Sequence, residues 1–145
     1  MRVIRNVRKD EWSQLLALYH ILHPDDPDPI FDPSLWARIL DDPHQHLLVD
    51  EEEGHIVASV TLILVENLTR GGRPYGLVEN VVTHPDFRGR GIGTALLREA
   101  QRLAREANCY KLQVLTSSKK EETLRFYERA GFQAGVKTGL IVKFD

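Results

Sequence analysis

Three glycines at alternate positions, Gly89, Gly91 and Gly93, form the segment most suggestive of chemistry, and Arg88 and Arg90 alternate with them. Glycine lets the backbone approach a bulky group closely and adopt conformations that other residues avoid. An apolar helical pattern begins at the third glycine, so the turn should present free backbone N–H groups at a helix N-terminus, where the dipole favours phosphate. The segment therefore predicts a site for a diphosphate or polyphosphate. A simple chain reversal is the alternative interpretation.

The glycine spacing excludes the two commonest nucleotide-binding loops. No Gly-Lys-Ser/Thr follows, as a P-loop requires, and one residue separates Gly91 from Gly93 where the dinucleotide fingerprint has two. Metal chemistry is not indicated: His44 and His46 alternate as strand residues would, but no carboxylate or cysteine completes a ligand set. Cys109 is the only cysteine, which excludes an internal disulfide and a thiolate-rich metal site.

The elements that must position this turn alternate between strands and helices. Apolar periodicity predicts a strand over residues 76–83 before the turn and a helix from Gly93 to about residue 108 after it. The same signals predict further strands at residues 3–7, 46–50, 55–65, 110–116 (buried) and 138–144. Capping and turn residues predict three further helices: one capped by Asp10, one that begins at Asp32-Pro33, and a short one that begins at the capping box Ser118-x-x-Glu121 and ends at Gly131. This order indicates a single α/β domain over residues 1–145.

Composition is that of a globular protein, with 42% hydrophobic and 28% charged residues in a chain of 145. The net charge of −2 is unevenly placed. Residues 1–68 hold 5 basic and 13 acidic side chains, and residues 69–145 hold 14 basic and 8 acidic ones. A pI of about 6.3 and the lack of a basic run with interleaved aromatics argue against a nucleic-acid partner. No segment resembles a membrane span or a signal peptide, so we expect a cytoplasmic protein with no membrane partner.

Two motifs resemble those of the GNAT superfamily of acetyl-CoA-dependent N-acetyltransferases. The family signature Arg/Gln-x-x-Gly-x-Gly/Ala is matched by residues 88–93, which follow Thr83-His84-Pro85 at the end of a strand. The family's Tyr-x-x-x-Gly-Phe motif is matched by Tyr127 to Phe132. Locally, residues 79–82 and 108–111 are most similar to the glucosamine-6-phosphate N-acetyltransferase branch.

The resemblance implies a fold and a cosubstrate. The fold is the α/β (α+β) fold of the superfamily, a central mixed, mostly antiparallel sheet flanked by helices, in which splayed fourth and fifth strands form the cleft for acetyl-CoA. A small-molecule amine is the implied acceptor, no metal is required, and a homodimer is a possible assembly.

Residue roles follow from the same resemblance. The backbone of Val81, Val82 and Thr83 should pair with the pantetheine arm, and the N–H of Val81 or Val82 should polarise the thioester carbonyl. Tyr127 matches a tyrosine that acts as general acid toward the departing thiolate, and Glu79 matches a base that deprotonates the amine, often through water. The residues expected to wrap the pyrophosphate are Arg88, Gly89, Arg90, Gly91, Ile92, Gly93 and Thr94.

Several alternatives stay open at this point. Glu79 could be a structural carboxylate paired with an arginine, and Tyr127 a packed aromatic. Lys120 stands where many relatives carry a coenzyme-contacting asparagine, so Lys119 and Lys120 could meet the 3′-phosphate or simply be solvated. Asn80 replaces an aspartate of the glucosamine-phosphate branch, which weakens the case for that substrate.

The acceptor is the least determined part of the function. The loop over residues 23–32 carries Asp25, Asp26, Asp28 and Asp32 on the acidic half of the chain, which favours a small cationic amine. An amino sugar phosphate or a protein amine is the rival acceptor, and a non-catalytic acyl-CoA-binding or regulatory module is the rival class.

Overall fold

A computed structural model describes residues 2–27, 29 and 32–145 of the chain. Within these residues, five strands and four α-helices follow one another, with short 3-10 turns at Lys9–Glu11, Arg70–Gly72 and Pro85–Phe87. The elements are β1 (Arg2–Asn6), α1 (Trp12–Leu22), α2 (Pro33–Asp41), β2 (Gln45–Glu52), β3 (His55–Val65), β4 (Tyr75–Thr83), α3 (Ile92–Glu106), β5 (Leu112–Val114) and α4 (Glu121–Arg129).

One mixed sheet carries the strands in the order β1-β2-β3-β4-β5. The first three pairings are antiparallel, and β4 pairs with β5 in parallel through only three residue pairs, the last joining Val78 to Val114. Beyond Val78, β4 continues to Thr83 without β5 beside it. The fold class predicted from the sequence is confirmed, including the parting of the fourth and fifth strands.

Helices cover both faces of the sheet because successive strand residues point to opposite sides. On β2, Leu48 packs in a core with α3, while its neighbours Leu47 and Val49 pack in a second core with α1 and α2. The buried α3 residues Leu96 and Leu97 lie at the centre of the first core. This arrangement holds the N-terminus of α3 beside the free end of β4.

A β-bulge interrupts the ladder between β3 and β4 next to the cleft. Ser59 pairs with Val82 and Thr61 pairs with Glu79, so two β4 residues, Asn80 and Val81, stand opposite a single β3 residue. Asn80 takes a positive φ of 51°, a conformation that asparagine tolerates better than most residues. A bulge leaves its extra residue outside the ladder and turns side chains to new directions.

Two helix ends follow the local sequence rules. The Asp32 carboxylate accepts hydrogen bonds from the N–H groups of Ser34 and Leu35, as a cap before a proline should. At the end of α4, Gly131 donates to the carbonyl of Glu128, and Phe132 donates to the carbonyl of Tyr127. With Gly131 at a φ of 106°, this is the Schellman arrangement predicted for that glycine.

The two other predicted caps are wrong. Asp10 lies inside the 3-10 turn, and α1 begins after Glu11, whose carboxylate instead pairs with Arg5 at 2.7 and 2.8 Å. No side chain caps α4: Ser118 Oγ lies 3.0 Å from Thr123 Oγ1 and accepts from the N–H of Lys120. At Ser118 the hydroxyl of Thr123 competes with the cap, whereas at the start of α1 the 3-10 turn moves the helix start past Asp10.

The two predicted strands after α3 are corrected as well. The strand expected over 110–116 shrinks to the half-buried Leu112–Val114, because β4 and β5 part after three pairs. The strand expected over 138–144 is not formed. Of the described residues, none belongs to a helix long and apolar enough to cross a membrane.

Candidate active site

The parting of β4 and β5 opens a cleft of about 1560 Å³. This exceeds the roughly 300–1,000 Å³ of an ordinary small-molecule pocket, so the cleft has room for an elongated ligand. Its walls are the free end of β4, the glycine-rich turn, the residues after β5 and one face of α4. The predicted site residues that line it are Glu79, Val81, Val82, Thr83, Arg88, Gly89, Gly91, Ile92, Gly93, Thr94 and Tyr127.

The turn before α3 has the geometry of an anion-binding loop. Gly89 and Gly91 adopt φ values of 77° and 76°, and a Cβ atom on either would meet nothing within 4 Å. Gly91 caps α3 without any side-chain hydrogen bond, and the first amide to bond back is that of Ala95, to the Gly91 carbonyl at 3.0 Å. Within the described chain, the amides of Ile92, Gly93 and Thr94 therefore have no protein acceptor. Free amides and a helix N-terminus suit a phosphate.

Gly93, the third glycine, is required by packing rather than by backbone conformation. A Cβ atom on Gly93 would come within 2.9 Å of the Phe126 ring and 3.4 Å of Thr83 Oγ1. Gly93 is buried, so its small size lets α3 pack closely against α4 and the end of β4. The alternating glycines therefore combine two open conformational positions with one packing position.

The two arginines of the turn point in different directions. Arg88 lines the cleft, and its Nε donates to the carbonyl oxygen of Thr83 at 3.1 Å. The guanidinium of Arg90 lies over the Phe87 ring, 4.9 Å from its centroid, and 3.8 Å from the Glu52 carboxylate. Contrary to the sequence expectation, Arg90 is outside the residues that line the cleft, because an aromatic face and a carboxylate hold it on the far side of the turn.

The two residues predicted to be catalytic lie close to each other in the cleft. Tyr127 is half-buried, with the rings of Phe126 and Phe132 at centroid distances of 5.0 and 5.9 Å. Burial raises the pKa of Tyr127, and the nearby negative charge of Glu79 raises it further. Tyr127 therefore keeps its proton at neutral pH, as a proton donor must.

Glu79 is exposed on β4 and makes no ion pair with an arginine in the part of the chain that the structure describes. The alternative of a structural carboxylate is thus not supported. Val82 is buried in the core under α1, while Val81 is half-buried and Asn80 is exposed at the bulge. The bulge brings the backbone of Asn80 and Val81 out of the ladder directly beside Glu79.

Sequence reasoning missed several cleft residues. The end of α1 contributes Ile21, Leu22 and His23, because the sheet places that helix end opposite β4. The chain after β5 contributes Thr116 to Ser118. Of the two lysines that the sequence offered for the 3′-phosphate, Lys119 lines the cleft and Lys120 does not. No local sequence signal marks the missed residues, since only the tertiary fold brings them to β4.

The predicted acidic loop is only partly at the cleft. Asp25 and Asp26 are exposed beside His23 but do not line the cavity, and Asp32 is engaged in capping α2. Asp28 lies outside the described residues. Among the described residues, no group of three His, Cys, Asp or Glu side chains forms a metal-binding cluster.

Comparison with known proteins agrees with this geometry. The sequence model of the Acetyltransferase (GNAT) family matches residues 12–132. The chain therefore belongs to the GNAT family of acetyltransferases, which confirms the resemblance seen in the motifs.

Particular relatives resemble different shares of the chain. It is 44% identical over 81 residues to a glucosamine 6-phosphate N-acetyltransferase of Trypanosoma brucei brucei, covering 56% of this chain and 53% of the relative. An uncharacterized N-acetyltransferase of Methanocaldococcus jannaschii is 27% identical over 140 residues, 90% of this chain and 60% of the relative. The chain thus spans between half and two thirds of the length of these curated relatives.

Solved structures cover the chain more fully. An acetyltransferase from Agrobacterium tumefaciens has a TM-score of 0.92 and 38% identity, covering 98% of this chain and 99% of that one. A Trypanosoma brucei acetyltransferase has a TM-score of 0.82 and 29% identity, covering 99% and 100%.

Proposed function

We propose that this protein transfers the acetyl group of acetyl-CoA to the primary amine of a small cationic molecule, by direct attack within a ternary complex. The proposal rests on one observation. The N-terminus of α3, the free edge of β4, Glu79 and Tyr127 all line the same cleft. Bound acetyl-CoA would supply an acetyl group activated as a thioester.

The coenzyme fits the open part of the turn. Gly89 and Gly91 leave space where side chains would otherwise stand, and the first amides of α3 have no protein acceptor in the described chain. These groups would hold the pyrophosphate, with Arg88 adding charge. The free edge of β4 at Val81 to Thr83 offers backbone groups to the amide-containing pantetheine arm, as an added strand would use them.

The chemistry assigns one proton transfer to each polar side chain. Glu79, directly or through a water molecule, accepts a proton from the acceptor ammonium and so frees the amine lone pair for attack on the acetyl carbonyl carbon. The N–H of Val81 or Val82 stabilises the negative charge that develops on the carbonyl oxygen. Tyr127 donates its proton as the carbon–sulfur bond breaks, and the second proton lost by the nitrogen replaces it, so that the products are an N-acetyl amine and neutral CoA thiol, with one proton left on Glu79.

A cationic acceptor is supported by two acidic residues that follow the cleft residue His23 in the chain. Asp25 and Asp26 are exposed near His23 and make no ion pair with another described residue. Together with Glu79, which lines the cleft, their carboxylates would contribute a negative potential that attracts ammonium groups.

An amino sugar phosphate is the second candidate acceptor. Its support is the 44% identity to a glucosamine 6-phosphate N-acetyltransferase, together with Lys119, Arg129 and Lys143 on the cleft wall, which could meet a sugar phosphate. The replacement of aspartate by Asn80 argues against it.

Release of free CoA thiol tests the proposal. The wild type should release thiol with polyamines, aminoglycosides or lysine-like amines and less with glucosamine 6-phosphate. Tyr127→Phe should bind acetyl-CoA normally but turn over about 10²–10⁴-fold more slowly, and Glu79→Gln should also lower turnover. Full activity of Tyr127→Phe would show that Tyr127 contributes to packing and not to proton transfer. Binding of acetyl-CoA without turnover of any amine would favour a non-catalytic module.

A further inference from the structure

Three hydroxyl groups lie together in the second core, between the sheet and α1. Tyr19 is half-buried on the third turn of the helix and packs against this core. Ser59 and Thr61 are buried on β3, and they share its α1 face because Val60, between them, packs in the first core with α3. None of the three hydroxyl residues lines the cleft, so their role is not a direct contact with substrate.

The hydrogen bonds of this cluster have one consistent direction. The Tyr19 hydroxyl bonds to the hydroxyls of Thr61 and Ser59, and burial raises the pKa of Tyr19, so it keeps its proton at neutral pH. Ser59 Oγ donates its only proton to the carbonyl oxygen of Leu48 at 3.0 Å. Toward Tyr19 it can therefore only accept, so Tyr19 donates to Ser59 and accepts from Thr61. The chain ends at a backbone carbonyl, so it fixes geometry and carries no proton to or from the cleft.

The two β3 residues that Tyr19 joins stand on either side of the β-bulge. Ser59 pairs with Val82 beyond the bulge, and Thr61 pairs with Glu79 before it. A bulge disrupts the ladder, so the regular backbone hydrogen bonds do not fix the two strands at this point. The Tyr19 hydroxyl supplies a connection across the place where the ladder is interrupted.

We propose that Tyr19 is a positioning residue whose hydroxyl, by joining Ser59 to Thr61, fixes the bulge and, through Thr61, the position of Glu79. Residues directly opposite each other on antiparallel strands have Cβ atoms about 4.5–5.5 Å apart, so a shift of Thr61 displaces Glu79. The same hydroxyl ties α1 to this part of β3. The catalytic meaning of Glu79 rests on the proposed function, whereas the shape of the bulge does not.

Amide hydrogen exchange tests the bulge without any substrate. Tyr19→Phe keeps the ring in the core and removes only the hydroxyl. Exchange at residues 79–82 should quicken by roughly 2- to 10-fold, the effect of losing one net hydrogen bond, while the amides of β1 and α3 should not change. The control Tyr75→Phe, at a half-buried tyrosine at the other end of β4, should leave exchange at 79–82 unchanged. Unchanged exchange at these residues in Tyr19→Phe would overturn the proposal.

Steady-state kinetics test the connection to Glu79. Tyr19→Phe should lower kcat about 10- to 100-fold through misplacement of the carboxylate, with an unchanged KM for acetyl-CoA because Tyr19 lies outside the cleft. Thr61→Val should lower kcat similarly, whereas Thr61→Ser, which keeps the hydroxyl, should retain most of the activity. In a Glu79→Gln background, Tyr19→Phe should cause no further loss, because its effect acts through that carboxylate. Losses that multiply in the double variant would refute this route.

The two measurements separate this inference from the proposed function. A wild type that acetylates no amine would contradict the proposed function, and exchange at residues 79–82 would still decide what the Tyr19 hydroxyl holds. A tyrosine with a merely structural role would lower the free energy of unfolding in urea when changed to phenylalanine, yet leave kcat of the folded variant unchanged. That combination would overturn the positioning role.

Discussion

Replacing Gly91 with alanine should lower both the stability of the fold and the affinity for acetyl-CoA, for two different reasons. Gly91 has a φ of 76° and open space around its missing Cβ, directly at the helix N-terminus. Alanine in this left-handed conformation costs roughly 1–2 kcal/mol of stability. The new methyl group would also stand where the pyrophosphate is proposed to lie. If it displaces one charge-assisted hydrogen bond, worth about 1.5–3 kcal/mol, the affinity for acetyl-CoA falls about 10- to 150-fold.

Gly54 provides the matched control for this experiment. It has a φ of 82° with nothing within 4 Å of a Cβ atom, and it lies in the β2–β3 turn away from the cleft. Gly54→Ala and Gly91→Ala should therefore lose similar stability in urea denaturation. Only Gly91→Ala should lose acetyl-CoA affinity in isothermal titration calorimetry. Equal affinities in the two folded variants would refute the assignment of the turn to the coenzyme.

Two further predictions concern charge. The ion pair with Arg5 holds the pKa of Glu11 below its usual range. The pair therefore stabilises the fold at pH values above the unfolded-state pKa of about 4.3. This stabilisation is lost as the pH falls through the lower pKa that Glu11 has in the folded state. Glu11→Gln should lower the free energy of unfolding in urea by about 3 kcal/mol at pH 7, and this difference from the wild type should become smaller in acid. The control Glu66→Gln, at an exposed carboxylate, should change the free energy of unfolding little. Replacing Asp25 and Asp26 together with asparagine should raise the KM for a cationic amine by up to about fivefold at low salt and less at physiological ionic strength, where exposed charges are screened beyond about 8 Å. A KM equal to that of the wild type at both salt concentrations would show that this loop does not recognise the acceptor.

Local signals account for the turn and capping conformations that were predicted correctly. The left-handed positions of Gly89 and Gly91, the Asp32 cap and the closing Gly131 depend on residues within a few positions of each other. A nearly continuous apolar run likewise located β3, because most of that strand is buried on both faces of the sheet. These features need no information about distant parts of the chain.

Long side chains were less predictable, because their directions depend on distant partners. The sequence places Arg90 beside the phosphate turn, yet Glu52 on β2 and the Phe87 ring hold its guanidinium on the other side. The capping box at Ser118 failed for a similar reason, since the hydroxyl of Thr123 competes for it. The packing role of Gly93 depends on Phe126, which lies 33 positions away along the chain.

By itself, the sequence determined the family, the order of the elements as far as α4 and the open glycine conformations of the turn before α3, because motifs and backbone preferences are properties of neighbouring residues. Only the tertiary structure decided how far β4 and β5 pair, that Glu79 approaches Tyr127, and that the end of α1 enters the cleft. It also left residues 138–144 without the strand pairing that their apolar pattern predicts. A strand exists only where an edge accepts it, and the position of that edge is fixed by the whole sheet rather than by the segment.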